Sequence, residues 1–160
     1  MTKIVSLKKL FVIRYSLFAD DKVVLVTGVF DLLHREHKHL LGAAKKQGTM
    51  LMVGLEPDQR VAQLKGEGRP VNNITQRLDA IAKLGIADYT FELPQNMATK
   101  AGREDLIKKL RPHILAVSPR TPNLPEKRRI MRLVGGRVKV VIPYDPTIST
   151  TSLLKQKSEY

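Results

Sequence analysis

The sequence predicts an α/β domain built on a doubly wound, five-stranded parallel sheet with helices on both faces. Three observations predict it. Short β-branched runs alternate with longer stretches of helical period, the pattern of β-α-β units. One run, Lys22 to Thr27 (KVVLVT), is apolar almost throughout, as a central strand covered on both faces should be. Gly and Pro fall between the periodic segments, at Gly66, Gly68, Pro70, Pro119, Pro122, Gly135 and Gly136. The 160 residues make one domain at about 100–200 residues per domain.

Residues 1–20 read as a leading peripheral helix, with Ser6 as its cap and Leu7, Leu10, Phe11 and Arg14 along it. This stretch is basic and partly apolar, but Lys8, Lys9 and Arg14 interrupt it and Asp20 and Asp21 follow it, which is wrong for a secretory signal. Residues 22–160 form the core. After Lys22 to Thr27, a helix over His34 to Lys46 carries Leu40, Leu41 and Ala44 on one side. Met50 to Leu55 is the second strand. Asn73 opens another helix with Gln76 three residues on, a capping pair, and Ile74, Leu78, Ile81, Ala82 and Leu84 follow at helical spacing. Tyr89 to Leu93, Ile114 to Val117 and Val138 to Ile142 complete a Rossmann-like sheet, and a last helix starts near Ser149. In such sheets ligands bind outside the carboxyl ends of the strands, where strand order reverses. Function is expected at the ends of the first and last of these strands.

Composition narrows the chemistry. There is no cysteine, which excludes a disulfide framework, a thiol nucleophile and a Cys-based zinc site. No apolar run approaches the ~18 residues of a membrane span, so a cytoplasmic protein with no membrane partner is expected. Lys and Arg number 28 against 15 Asp and Glu, a net charge of +13. Such an excess suits phosphorylated small molecules, nucleic acid or an anionic membrane surface. For nucleic acid the charge is the sole support, because aromatic residues make up only 5% and tryptophan is absent, leaving little for bases to stack on. The densest cluster, Lys127, Arg128, Arg129 and Arg132, reads as a solvated helix face.

The two expected strand ends carry the most unusual stretches. Thr27-Gly-Val-Phe-Asp-Leu-Leu-His-Arg-Glu-His37 is a strand, a tight turn, and two histidines three apart at a helix start, where they can face one ligand. A helix N-terminus already favours anions, and imidazole donors extend such a site toward a polyphosphate. Ser149, Thr150 and Thr151 place three hydroxyls at the start of the last helix, able to cap it or to donate to phosphate oxygens. Zinc is disfavoured: the spacing of His34, Glu36, His37 and His39 fits no helical metal motif.

Gly28, Phe30, Asp31, His34 and His37 match the G-x-F-D-x-x-H-x-G-H signature of the cytidylyltransferase-like nucleotidyltransferases, and Ile148 to Thr151 match their I-S-[ST]-T signature. Leu64-Lys65-Gly66, Arg69-Pro70-Val71, Gln76-Arg77 and Gly135-Gly136-Arg137-Val138 resemble most the adenylyltransferase domain of the bifunctional enzyme of ADP-heptose synthesis. The resemblance implies transfer of AMP from ATP, or CMP from CTP, to a sugar or polyol phosphate with release of pyrophosphate, magnesium as cofactor, and a homodimer. It implies catalytic roles for His34, His37 and Lys65. Thr27, Gly28, Phe30, Asp31, Arg69, Ser149, Thr150 and Thr151 would bind the nucleotide and its phosphates.

Two departures stand out. Glu36 occupies the place of the glycine between the histidines, adding a negative charge beside the expected triphosphate, and Ser118-Pro119-Arg120-Thr121 replaces a Lys-Gly-Gly-Asp stretch. Swinging out toward Arg35 or Lys38, or binding magnesium, would relieve Glu36. The alternative reading is a homologue that keeps the fold in a binding or regulatory role without catalysis.

Overall fold

The computed structural model describes residues 1–146; Ser149, Thr150 and Thr151 lie outside the described residues. In chain order the elements are β1 (Lys3–Ile4), α1 (Leu7–Tyr15), β2 (Val23–Gly28), α2 (Arg35–Lys45), β3 (Met50–Leu55), α3 (Asp58–Lys65), α4 (Ile74–Leu84), β4 (Tyr89–Glu92), a 3₁₀ turn (Gln95–Ala98), α5 (Lys100–Leu110), β5 (Ile114–Val117), α6 (Leu124–Arg132) and β6 (Arg137–Val140). All strands are parallel, in the order β1-β4-β3-β2-β5-β6. Among the described residues no helix is long and apolar enough to cross a membrane.

The sheet has six strands rather than five. The addition is the two-residue β1, paired with Tyr89 and Thr90 at the edge of β4. Two residues carry no alternating pattern, so nothing local marks them as a strand. The edge of β4 makes them one: Lys3 N–H donates to the Asp88 carbonyl and Val5 N–H to that of Thr90, both at 3.0 Å.

Alternation along β2 splits the core into two layers. Val23 and Leu25 pack with Leu10, Leu106, Leu110, Ile130 and Met131 beneath α1, α5 and α6. Val24 and Val26 face the other way, onto Leu40, Leu41 and Ala44 of α2 and Ile81 of α4. Helix ends follow their sequence signals. Ser6 caps α1 by accepting from Lys9 N–H, and Asn73 and Gln76 form a reciprocal capping box on α4. Arg14 of α1 donates to the carbonyls of Leu110 and Arg111 at the end of α5, satisfying terminal groups of that helix and fastening α1 to the domain.

From β2 the chain builds outward through β3 and β4 on one side, then through β5 and β6 on the other. Strand order therefore reverses between β2 and β5. These two pair at Val24↔Ile114 and Leu25↔Leu115, and a crevice opens beyond, at their carboxyl ends. The opening lies at the first and fourth of the strands read from sequence, and Ile142 and Asp145, at and beyond the end of the last, line it as well.

The loops at this edge are fixed from beneath by Arg77. Its side chain is 1% exposed. Nε donates to the Asn72 carbonyl, Nη1 to the carbonyls of Val29 and Glu56, and Nη2 to the Asp58 carboxylate at 2.7 Å. One guanidinium thus joins the turn after β2, the turn after β3 and the entry to α4. Arg77→Met would leave three carbonyls without donors, at about 1–3 kcal/mol each when buried. The expected outcome is a loss of at least about 3 kcal/mol in urea unfolding.

Candidate active site

The crevice is a cavity of about 770 Å³. It brings together Thr27, Gly28, Phe30, Asp31, His34, His37, Lys65 and Arg69, all the expected site residues that lie within the described chain. Among the described residues, the buried side-chain polar atoms without a hydrogen bond are on His37, Glu56, Arg60 and Arg69. Each of these residues lines the cavity. Buried polar groups are ordinarily satisfied, so their concentration among the residues of this cavity sets its walls apart from the rest of the described core.

One wall grows from the turn after β2. Phe30 adopts a left-handed backbone, φ 50°, uncommon for a bulky residue. Its buried ring lies where a Cβ on Gly28 would come within 2.9 Å, so glycine at 28 admits that ring. The ring meets His37 edge-on at 5.2 Å, and His37 stacks on His34 with centroids 3.8 Å apart. His34 is not inside α2 but is its N-cap: Nδ1 accepts from Glu36 N–H at 3.2 Å. An accepting Nδ1 places the proton of a neutral ring on Nε2. Burial lowers the His34 pKa against the pull of Glu36. His37 is lowered to about 4, first by burial and then by His34, with Lys65 adding to the effect; the Leu32 backbone favours the protonated ring without a hydrogen bond of ordinary geometry at Nδ1. The pair therefore stands at neutral pH as uncharged imidazoles.

Asp31 serves the loop over α4. Arg69 Nε donates to its carboxylate at 2.9 Å, and the amides of Val71 and Asn72 donate at 2.8 Å. Burial pushes its pKa up, but the Asn72 and Val71 amides and Arg69 outweigh that and keep the carboxylate below its ordinary range. Arg69 holds Asp31 with Nε and lines the cavity, while its Nη2 is buried without a hydrogen bond. Lys65, the last residue of α3, is exposed at the cavity's rim. Glu36 lines the cavity, and its carboxylate comes within 3.7 Å of His39 Nδ1, a turn further along α2 and in neither of the directions that Arg35 and Lys38 offered.

The opposite wall comes from β3, α3, β5 and α6; the sequence marks its 118–121 stretch and Lys127 but not Glu56 or Arg60. Glu56 follows β3, and burial raises its carboxyl pKa despite Arg60, Arg77 and Lys127. Lys127 donates to the Thr121 hydroxyl at 2.6 Å and the Pro122 carbonyl at 2.7 Å. The basic cluster of α6 is consequently not one solvated face. Lys127 turns into the cavity, while Arg129 pairs with Glu104 and Glu126 at 2.8 Å. Arg120 donates to the Asp145 carbonyl and lies 4.9 Å over the Tyr144 ring. The available signal was topological: Glu56 and Ser118 follow buried strands at the same sheet edge as Gly28.

Comparison with known proteins bears on family and fold. The model of the cytidylyltransferase-like family matches residues 25–156. The bifunctional protein HldE of Psychromonas ingrahamii is 35% identical over 138 residues, 84% of this chain and 27% of the relative. HldE of Campylobacter curvus is 41% identical over 96 residues, 60% of this chain and 19% of the relative. The chain thus spans 19–27% of the length of these relatives. Among solved structures, a lipopolysaccharide core biosynthesis protein of Thermoplasma volcanium superposes with a TM-score of 0.63 at 26% identity, covering 78% of this chain and 99% of the other. The pantoate-beta-alanine ligase of Francisella tularensis gives 0.71 at 15% identity, covering 99% and 77%, a likeness of fold alone.

The depressed His37 has a measurable consequence. Its folded pKa of about 4 lies below the ordinary 6.5, so the unfolded chain binds more protons between those values. Stability is full above pH 6.5 and is lost as pH falls toward 4, by at most about 3 kcal/mol from this group. Denaturant titrations across that window should show the slope, and His37→Gln should flatten it.

Proposed function

Because the chain belongs to the cytidylyltransferase-like family, we propose that it is a nucleotidyltransferase that moves AMP from ATP, or alternatively CMP from CTP, onto the phosphate of a sugar or polyol phosphate. The observation that carries this reading is the stacked His34–His37 pair at the N-terminus of α2, in a crevice at the strand-order reversal that also gathers Lys65, Arg69 and Lys127. The reaction makes one bond and breaks one. An oxygen of the acceptor's phosphate attacks the α-phosphorus, the bond from that phosphorus to the bridging oxygen breaks, and pyrophosphate leaves with the electron pair. No protein nucleophile is involved, so positioning and charge stabilisation carry the catalysis.

In this scheme the triphosphate lies against the start of α2, whose free N–H groups and dipole favour anions. His34 donates from Nε2. His37, neutral before the nucleotide arrives, is drawn toward protonation by the phosphates, as an opposite charge nearby favours the charged form. Arg69 and Lys65 supply positive charge from the cavity lining, with Ser149, Thr150 and Thr151 as further donors on the strength of their signature. Asp31 acts by holding Arg69 in place.

Among the described residues no group of three or more His, Asp or Glu side chains is placed to hold a metal ion. Asp31 is already taken by Arg69 and two amides. Magnesium in such sites is held by substrate phosphates together with one or two carboxylates, and in this scheme it enters as the salt of the nucleotide.

Glu36 favours the second reading, a homologue without catalysis, because its carboxylate lines the phosphate end of the cavity. A like charge at ~4 Å costs about 1 kcal/mol in water-like surroundings and about 4 at an effective dielectric near 20. Calorimetric titration of MgATP and MgCTP into the protein and its Glu36→Gly variant separates the two. Micromolar binding by the natural protein, with proton uptake near pH 6, is the expected result. Binding only by the glycine variant would establish the second reading. With an acceptor found by pyrophosphate release, His34→Ala and His37→Ala should each lower turnover about a hundredfold; retained turnover in both would overturn the assignment.

A further inference from the structure

The wall opposite the histidines holds polar groups that the nucleotide scheme does not use. Glu56 and Arg60 line the cavity, and neither side chain makes a hydrogen bond among the described residues. Lys127 spends two of its three donors on Thr121 and Pro122, leaving one for the cavity. Glu56 and Arg60 sit on one element boundary, at the end of β3 and the first turns of α3, while Lys127 reaches across from α6. A carboxylate in a cavity that must take two polyanions is unfavourable unless it accepts hydrogen bonds from the ligand. Arg60, Arg77 and Lys127 already surround it with positive charge, so a neutral hydroxyl suits it better than a further cation.

We propose that Glu56, Arg60 and Lys127 form the acceptor subsite, in which Glu56 accepts from a free hydroxyl of the acceptor while Arg60 and Lys127 take its phosphate. The subsite selects hydroxylated phosphomonoesters over both unhydroxylated and amino-bearing ones. Phosphate held there faces the histidine wall, as an attacking group must. This deepens the transfer reading and rests on it for the identity of the cavity, but it is tested by binding, which needs no turnover.

The experiment measures equilibrium binding of mannose 1-phosphate, glycerol 3-phosphate, phosphoethanolamine and ethyl phosphate by calorimetry, with and without magnesium α,β-methylene-ATP. Hydrogen bonds to a charged partner are worth about 1.5–3 kcal/mol, so at least one hydroxylated ester should bind tenfold or more tighter than ethyl phosphate and phosphoethanolamine. Glu56→Gln should weaken that preference and Glu56→Ala abolish it, while ethyl phosphate and nucleotide affinities do not fall, since each variant removes a negative charge from the cavity. Arg60→Gln should weaken all four esters alike. A preference unchanged in both Glu56 variants, a preference for phosphoethanolamine, a nucleotide affinity lost in step with the ester, or no ester binding under either condition would overturn the subsite. Selective binding that depends on Glu56, without pyrophosphate release from ATP or CTP, would overturn the transfer reaction and leave the subsite standing. Transfer whose acceptor choice is unmoved by Glu56→Gln would do the reverse.

Discussion

The buried guanidinium of Arg77 is the constraint on which the rest of the carboxyl edge depends. Four hydrogen bonds run from it to three separate stretches of backbone and to Asp58. Burying a charge is costly unless it is paired and hydrogen-bonded, and here the cost is met by carbonyls that the turns themselves cannot satisfy. Asp31 works from above the same edge, accepting from Arg69, Val71 and Asn72, while its own carbonyl accepts from the Asn72 side chain. The two charged groups meet at Asn72, which gives its amide to Asp31 and its carbonyl to Arg77. The site is therefore mounted on loops that behave as part of the core.

That rigidity bears on the histidines. Gly28 makes room for the Phe30 ring, Phe30 supports His37, and His37 supports His34, so the position of the outermost ring is set by packing that begins at the end of a buried strand. Preorganised donors are most useful where little water competes with them. The same burial keeps both rings neutral.

The positive charge of the chain is spread among three tasks. Arg14 and Arg77 are spent on backbone carbonyls, and Arg129 on Glu104 and Glu126. Arg60, Lys65, Arg69 and Lys127 line the cavity. A net charge of +13 counts all of these alike, which is why composition pointed to anions in general and to none in particular.

Much of this was legible in the residues because it is local. The buried character of β2, the capping box on α4 and the two histidines at the start of α2 each depend on spacing within a few positions, and spacing is what a sequence records. The six-stranded count was not legible, since Lys3 and Ile4 become a strand only by borrowing the edge of β4. Nor was the second wall. Glu56 and Arg60 are unremarkable in their own segments and Lys127 is one of a run of basic residues, and only the reversal of strand order between β2 and β5 sets them across a crevice from His34 and His37. The sequence by itself determined which residues could form strands, caps and an anion-binding helix start. Tertiary structure decided which of the many charges face a common ligand, because burial and pairing depend on neighbours far away in the chain.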